Sequence, residues 1–213
     1  LMPRCPRIIL DRFIFRNVRG SEDSKLPDNM DPIREYIDVK MIRENLDDIP
    51  EYSLPAGYSI RWYQPGYEKY WQAVQSLADV YTRATPELFE RQFGTDAKLL
   101  SERQCFLYDG EENVIGTATA WLDNLGGKSL GRIHWLAIVP QQQGKGLAKP
   151  LLTIICKRLK ELGHSRTYLT TQTVRIPAIN LYAKFGFAPM VDSERDREIW
   201  EKLRKHIKYP LSF

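Results

Sequence analysis

The sequence contains no apolar run approaching the roughly 18 to 20 residues that a membrane span needs, and its densest stretch, Trp135 to Val139, is only strand-sized. We therefore expect no passage through a bilayer. Near the N-terminus Ile8, Ile9 and Leu10 are cut off from Phe13 by Asp11 and Arg12, so a continuous core of signal-peptide type is missing too. Cysteine is scarce: Cys5, Cys105 and Cys156 are odd in number and share no CxxC or Cys/His spacing, which speaks against a disulfide framework and a zinc site. A reducing cytoplasm without a bound metal is the expected setting. Internal repeats and low-complexity tracts are also missing, and hydrophobic and charged fractions of 43% and 27% are ordinary for a globular chain. With 213 residues, one good core is expected and two large ones are not.

What is present is unevenly distributed. Residues 1–57 carry six of the 13 prolines but only two glycines, together with polar clusters such as Ser21 to Ser24, and they read as an extended N-terminal arm. Within the arm a short helix from Asp31 to Asn45 is predicted, with Asp31 as N-cap, Pro32 at the first helical position and Ile33, Ile37 and Met41 on one face. The net charge of +4 is mild, yet residues 141–170 hold six cations against Glu161 alone. Nucleic-acid binding by that segment is the least favoured function we derive from it.

From Tyr58 onward the patterns become regular, and residues 58–213 are expected to form one domain. Tyr58 to Tyr63 alternates and ends at Pro65-Gly66, reading as a strand and turn. Tyr67 to Thr82 has helical periodicity, and Thr85-Pro86 opens a second, shorter helix. Cys105 to Tyr108 and Val114 to Leu122 read as a strand pair, and Arg132 to Val139 as a central strand. Gly144 to Leu162 is the longest helix, with Leu147, Leu151, Ile155 and Leu159 on one face, and Pro150 predicts a local kink or a loosened first turn. Arg166 to Thr171, Pro177 to Lys184, Phe187 onward and Glu194 to Ile207 complete a mixed α/β sheet flanked by helices.

Gln143-Gly144-Lys145-Gly146 lies where the central strand gives way to the long helix, so unpaired amides and the positive end of the helix dipole converge there on an anion, a pyrophosphate being the best guest. The third glycine of a dinucleotide fingerprint and the Gly-Lys-Ser/Thr ending of a P-loop are both missing. Gln141-x-x-Gly144-x-Gly146 instead resembles motif A of the Gcn5-related N-acetyltransferase (GNAT) family. Asn180 to Phe187, at a helix-to-strand turn, resembles its N-x-x-Y-x-K-x-G-F segment.

This resemblance implies a GNAT-like acyl-CoA N-acyltransferase fold: a mostly antiparallel sheet with a splayed parallel pair and helices on both faces. It implies acetyl-CoA as co-substrate, its pyrophosphate on the amides of Gln143, Gly144, Lys145, Gly146 and Leu147. The pantetheine arm would pair with Ala137, Ile138 and Val139, where the family has a bulge, and the thioester would lie beside the Val139 amide. Asn180 would bond the pantetheine or cap its helix. Tyr182 would protonate the departing thiolate or pack as a core ring. His134 is the titratable group on a strand that offers no carboxylate, and it reads as a base or as a structural histidine; Asp123 and Asp192 are weaker bases. The function implied is acetyl transfer to a primary amine, on a small molecule or a peptide, by direct attack, with a non-catalytic acetyl-CoA-binding module as the alternative.

Overall fold

The computed structural model describes residues 30–125 and 128–213. In chain order the elements are β1 (Asp38–Arg43), β2 (Ser59–Trp62), α1 (Glu68–Ala78), α2 (Pro86–Phe93), α3 (Ala97–Arg103), β3 (Gln104–Tyr108), β4 (Val114–Leu125) and β5 (Lys128–Ile138). They continue with α4 (Ala148–Glu161), β6 (Thr167–Gln172), α5 (Ile176–Lys184), β7 (Ala188–Pro189) and α6 (Glu194–Arg204). One seven-stranded sheet runs β2-β3-β4-β5-β6-β1-β7. Every neighbouring pair is antiparallel except β5 and β6, which are parallel and meet only at Gly131↔Thr167 and Arg132↔Tyr168. Beyond Arg132 these two strands have no ladder between them. The mixed sheet with one splayed parallel pair is the architecture expected from the sequence.

The two faces differ in chemistry. Cys105, Leu107, Ile133, Leu169 and Met41 turn to one side and pack with Leu151, Ile155, Ile179 and Trp200 of α4, α5 and α6. On the other side Tyr63, Phe106 and Tyr108 meet Trp71 of α1 and Leu88, Phe89 and Phe93 of α2 in an aromatic cluster. The Thr85 cap works as read: its side chain accepts a hydrogen bond from the Leu88 amide at 3.2 Å, with Pro86 following.

The arm departs from its reading. Pro32–Arg34 forms only a short 3-10 turn, Asp31 makes no capping bond, and β1 is a strand where a helix was expected. Val39 and Met41, two residues apart, are buried together, a period-2 pattern that the Ile33/Ile37/Met41 spacing concealed. Pairing with β6 on one side and β7 on the other satisfies the backbone in both directions, and this tertiary gain outweighs local helix preference. Residues 44–54 then cross α4. Glu51 pairs with Lys157 at 2.9 Å, Asp47 with Lys160 at 2.9 Å, and Glu44 with Arg166. Much of the basic excess seen in the sequence is thereby matched by carboxylates of the arm. The short helix α3 was also not anticipated.

Candidate active site

The site is built where β5 leaves the sheet. Thr117 faces Ala137 and Thr119 faces His134, so Trp135 and Leu136 together oppose Ala118 in a β-bulge. Trp135 sits at φ 51°, a left-handed conformation that costs an aromatic residue about 1–2 kcal/mol. Two glutamines hold it there. Gln75 of α1 donates to the Trp135 carbonyl at 3.0 Å, and the Trp135 indole donates to Gln92 of α2 at 3.1 Å. The bulge and the end of β5–β6 pairing open a wedge between β5 and β6.

Strand alternation decides which groups face the wedge. The Val139 amide donates to the Ile115 carbonyl at 2.9 Å, and Ala137 opposes Thr117, so both point toward β4. Ile138 points the other way, its carbonyl accepting from the Gln143 side chain at 2.8 Å. Of Ala137, Ile138 and Val139, it is Ile138 that turns its peptide groups to the wedge, and the Val139 amide is committed within the sheet.

The turn after β5 carries the anion site's geometry. Pro140–Gln142 is a 3-10 turn that takes in the Gln143 amide, which donates to the Pro140 carbonyl at 3.2 Å. From there the amides of Gly144, Lys145, Gly146, Leu147 and Ala148 have no acceptor among the described residues. The free run is thus shifted by one residue from the expected Gln143 to Leu147. Gly144 and Gly146 have φ of 78° and 80°, and a Cβ placed on either would project into open space. The glycines serve a left-handed turn just ahead of α4 that a residue with a Cβ would adopt only at a cost. Pro150 falls in the first turn of α4, where no amide needs an acceptor, and Lys149 bonds the Gly146 carbonyl in its place at 3.3 Å, the loosened turn expected.

Tyr182 of α5 is buried, its ring edge-on to Phe187 with centroids 6.0 Å apart. Burial pushes its phenol up to about 12. Asn180 is occupied by the chain's end: its side chain donates to Ile176 and His206 carbonyls at 3.0 and 3.2 Å and accepts from the Lys208 amide at 2.6 Å. His134 is wedged between Phe93 and Trp135, with centroids 5.3 and 5.9 Å away, and burial pushes it down to about 3. It is a neutral imidazole near pH 7. Asp123 bonds Arg132 at 3.0 Å and Tyr168, while Asp192 lies 3.6 Å from Lys40.

Sequence reasoning missed the residues that shape the wedge from α1. Gln75 was legible as a polar residue on the buried stripe of a helix, but its target was not. Asp79, one turn on, pairs at 2.9 Å with Arg175 at the start of α5, and the carboxylate is only 6% exposed. Arg175 also lies over the Tyr36 ring at 6.0 Å. Among the described residues no His, Cys, Asp and Glu cluster could hold a metal ion.

A bulged strand, a splayed parallel pair and a run of free amides at a helix start define a class of acyltransferase fold. The model of the acetyltransferase (GNAT) family matches residues 62–187, and the chain belongs to that family. It is 30% identical over 168 residues to a mycothiol acetyltransferase of Pseudarthrobacter chlorophenolicus, covering 73% of this chain and 50% of that protein. It is also 30% identical over 158 residues to one of Streptomyces coelicolor, covering 71% and 50%. The chain thus spans about half the length of these curated relatives. A solved GCN5-related N-acetyltransferase of Sphaerobacter thermophilus shares the fold with a TM-score of 0.57 at 21% identity, over 72% of this chain and 48% of that one.

Proposed function

We propose that this chain transfers an acetyl group from acetyl-CoA to a primary amine by direct attack within the β5–β6 wedge. The observation that carries the reading is the run of five amides from Gly144 to Ala148 with no acceptor among the described residues, in a turn where a Cβ on Gly144 or Gly146 would meet nothing within 4 Å. Gly144, Lys145, Gly146 and Leu147 would hold the pyrophosphate. Ile138, flanked by Ala137 and Val139, would pair with the pantetheine, and the Gln143 side chain would brace that edge of β5. Asn180 supports the site indirectly by fixing residues 206–208.

The amine nitrogen attacks the thioester carbonyl carbon, the C–S bond breaks, and one N–H proton passes to the sulfur or to solvent. A phenol near 12 facing a thiolate near 8.5 would give up its proton at a cost of about 5 kcal/mol, so Tyr182 acts as a hydrogen-bond donor to the departing sulfur rather than as a full acid. His134 has no base role in this scheme, since an imidazole held near 3 cannot draw a proton from an ammonium near 8 to 10. The acceptor must therefore arrive neutral. An α-amine of pKa near 8 pays about 1.4 kcal/mol for this at pH 7, against about 4.6 for a lysine-like amine. The test is thiol release from acetyl-CoA across a panel of amines, with compounds of the mycothiol class placed first because of the relatives' names. Release with α-amines supports transfer. Tight coenzyme binding without release across the panel supports the binding-module alternative.

A further inference from the structure

The two helical layers are tied together where β5 and β6 have parted. Asp79 follows the last turn of α1, on the aromatic face of the sheet, and its amide donates at 2.9 Å to the carbonyl of Gln75, the residue that braces Trp135. Arg175 stands at the head of α5, on the opposite face, three residues after β6 ends. Their ion pair at 2.9 Å therefore joins the brace of the bulge to the helix that carries Tyr182. With the Asp79 side chain 6% exposed and that of Arg175 33%, solvent screens this pair far less than a surface one.

Both partners are fixed from elsewhere in the chain. The Asp79 carboxylate also accepts from the Tyr81 amide at 3.0 Å. The Arg175 guanidinium lies over the ring of Tyr36 from the arm, and that ring in turn meets the ring of Tyr81 with centroids 4.5 Å apart. The turn before Arg175 is pinned by the arm as well, the Thr173 amide donating to the Ile37 carbonyl at 2.9 Å, and the Arg175 amide donates to the Gln172 carbonyl at 2.9 Å. The Arg175 Nε is shut away from solvent with no partner among the described residues, so part of the guanidinium lies in the interior with a donor uncommitted.

We propose that Arg175 is a positioning residue of the transfer: held by Asp79 and Tyr36, it fixes the head of α5, and its charge strengthens the Tyr182 phenol as a donor to the departing sulfur. The inference rests on the reading of Tyr182 given above and adds the group that acts through it. Tyr182 lies two turns further along α5. When the C–S bond breaks, its electron pair goes to sulfur, and the phenol donates to the thiolate while keeping its own proton. A nearby cation stabilises the negative charge that the phenol oxygen then takes up. Burial is the main influence on this phenol and pushes it up to about 12; Arg175 pulls it down, and Cys156 of α4 adds to the rise. Burial pushes the Cys156 thiol up to about 12 as well, so it is neutral, and of these two groups only Arg175 brings a charge. Facing Arg175 are Asp79 and Tyr36, with Asp38 acting on Tyr36. Burial opposes the charged guanidinium, but Asp79 and Tyr36 outweigh it and raise its pKa, so Arg175 stays a cation.

The experiment is a pH titration, by NMR, of the CoA thiol in its complex with the full chain, using CoA isotopically labelled at the carbon that bears sulfur; no acceptor is needed. Relative to the unaltered complex, Arg175→Met should leave about tenfold less thiolate at a given pH. Arg175→Lys keeps the charge and should lose less. The loss should vanish when Tyr182→Phe is already in place, because the cation acts through the phenol. Tyr36→Leu, at an exposed position, should show the same loss in smaller degree, and it is the variant read if circular dichroism finds Arg175→Met unfolded. An unchanged titration in folded Arg175→Met, or in Tyr36→Leu where that variant is read, overturns the inference. So does an equal loss with and without the Tyr182 phenol, as a merely structural role would give, and so does Arg175→Lys losing as much as Arg175→Met. A titration that Tyr182→Phe leaves unchanged overturns the reading of Tyr182 and this inference with it, whereas a label that the protein does not perturb overturns the coenzyme reading itself.

Discussion

Replacing Gln75 by leucine tests what keeps the wedge open. The two side chains have similar volume, so the substitution mainly removes the donor to the Trp135 carbonyl, which Gln75 reaches at 3.0 Å from a position only 3% exposed. A buried carbonyl left without its donor costs about 1–3 kcal/mol. Trp135 already bears about 1–2 kcal/mol for its left-handed backbone, so the lost bond and the conformational penalty are of the same size and the bulge has little reserve. We expect Gln75→Leu to lower stability by about 1–3 kcal/mol, with Tm falling by about 2–4 °C for each, and to weaken acetyl-CoA binding about tenfold as β5 relaxes toward regular pairing. Thermal unfolding and titration calorimetry read both. A double-mutant cycle sharpens the result, because glycine at 135 adopts positive φ without strain and Gln75→Leu should then lose less affinity. An unchanged Tm together with unchanged acetyl-CoA affinity refutes the argument that the glutamine holds the bulge.

Other outcomes follow from the same structure. Tyr182→Phe should lower kcat about tenfold or more with little change in the KM for acetyl-CoA, since the ring's packing on Phe187 is kept while the donor to sulfur is lost; equal rates would assign Tyr182 to packing alone. His134 has a folded pKa of about 3 against about 6.5 unfolded, so the unfolded chain binds the extra proton between those values and stability falls as pH drops through that window. Between pH 7 and pH 5 the loss is about 2 kcal/mol, and denaturant titrations of His134→Gln should show a correspondingly flatter profile. Met41→Ala should cost about 2–5 kcal/mol, as befits a side chain of 0% exposure in the middle of the sheet, and a change below 0.5 kcal/mol in urea unfolding would contradict the placement of β1.

How much of this was legible in the sequence depended on whether the determinant was local. The α2 cap, the α4 stripe and the Gly-x-Gly turn are local, and each appears in the structure close to where pattern and spacing put it. Residues 31–45 were misread because Asp31-Pro32 and the Ile33/Ile37/Met41 spacing imitate a helix start, whereas the strand is decided by partners more than 120 residues away, such as Leu169 opposite Met41. The positive φ of Trp135 had no local signal either; it is imposed by Gln75 and Gln92, which come from two other elements. Asn180 shows the same limit: its place in the second motif was clear, but its hydrogen bonds go to His206 and Lys208, segments whose path no motif describes. The basic excess at 141–170 showed no counterpart in its own stretch of sequence because the carboxylates that answer it lie about a hundred residues earlier in the chain.

The most direct measurement is calorimetric titration of acetyl-CoA into the unaltered chain and into Gly144→Val/Gly146→Val. Gly144 and Gly146 sit at φ of 78° and 80°, so valine at both positions strains the turn that carries the free amides, and uptake should occur at one site in the first protein and weaken about 100-fold or more in the second. No heat of binding to the unaltered chain, or equal affinity in a folded double variant, would contradict the assignment of this turn as the coenzyme's diphosphate site.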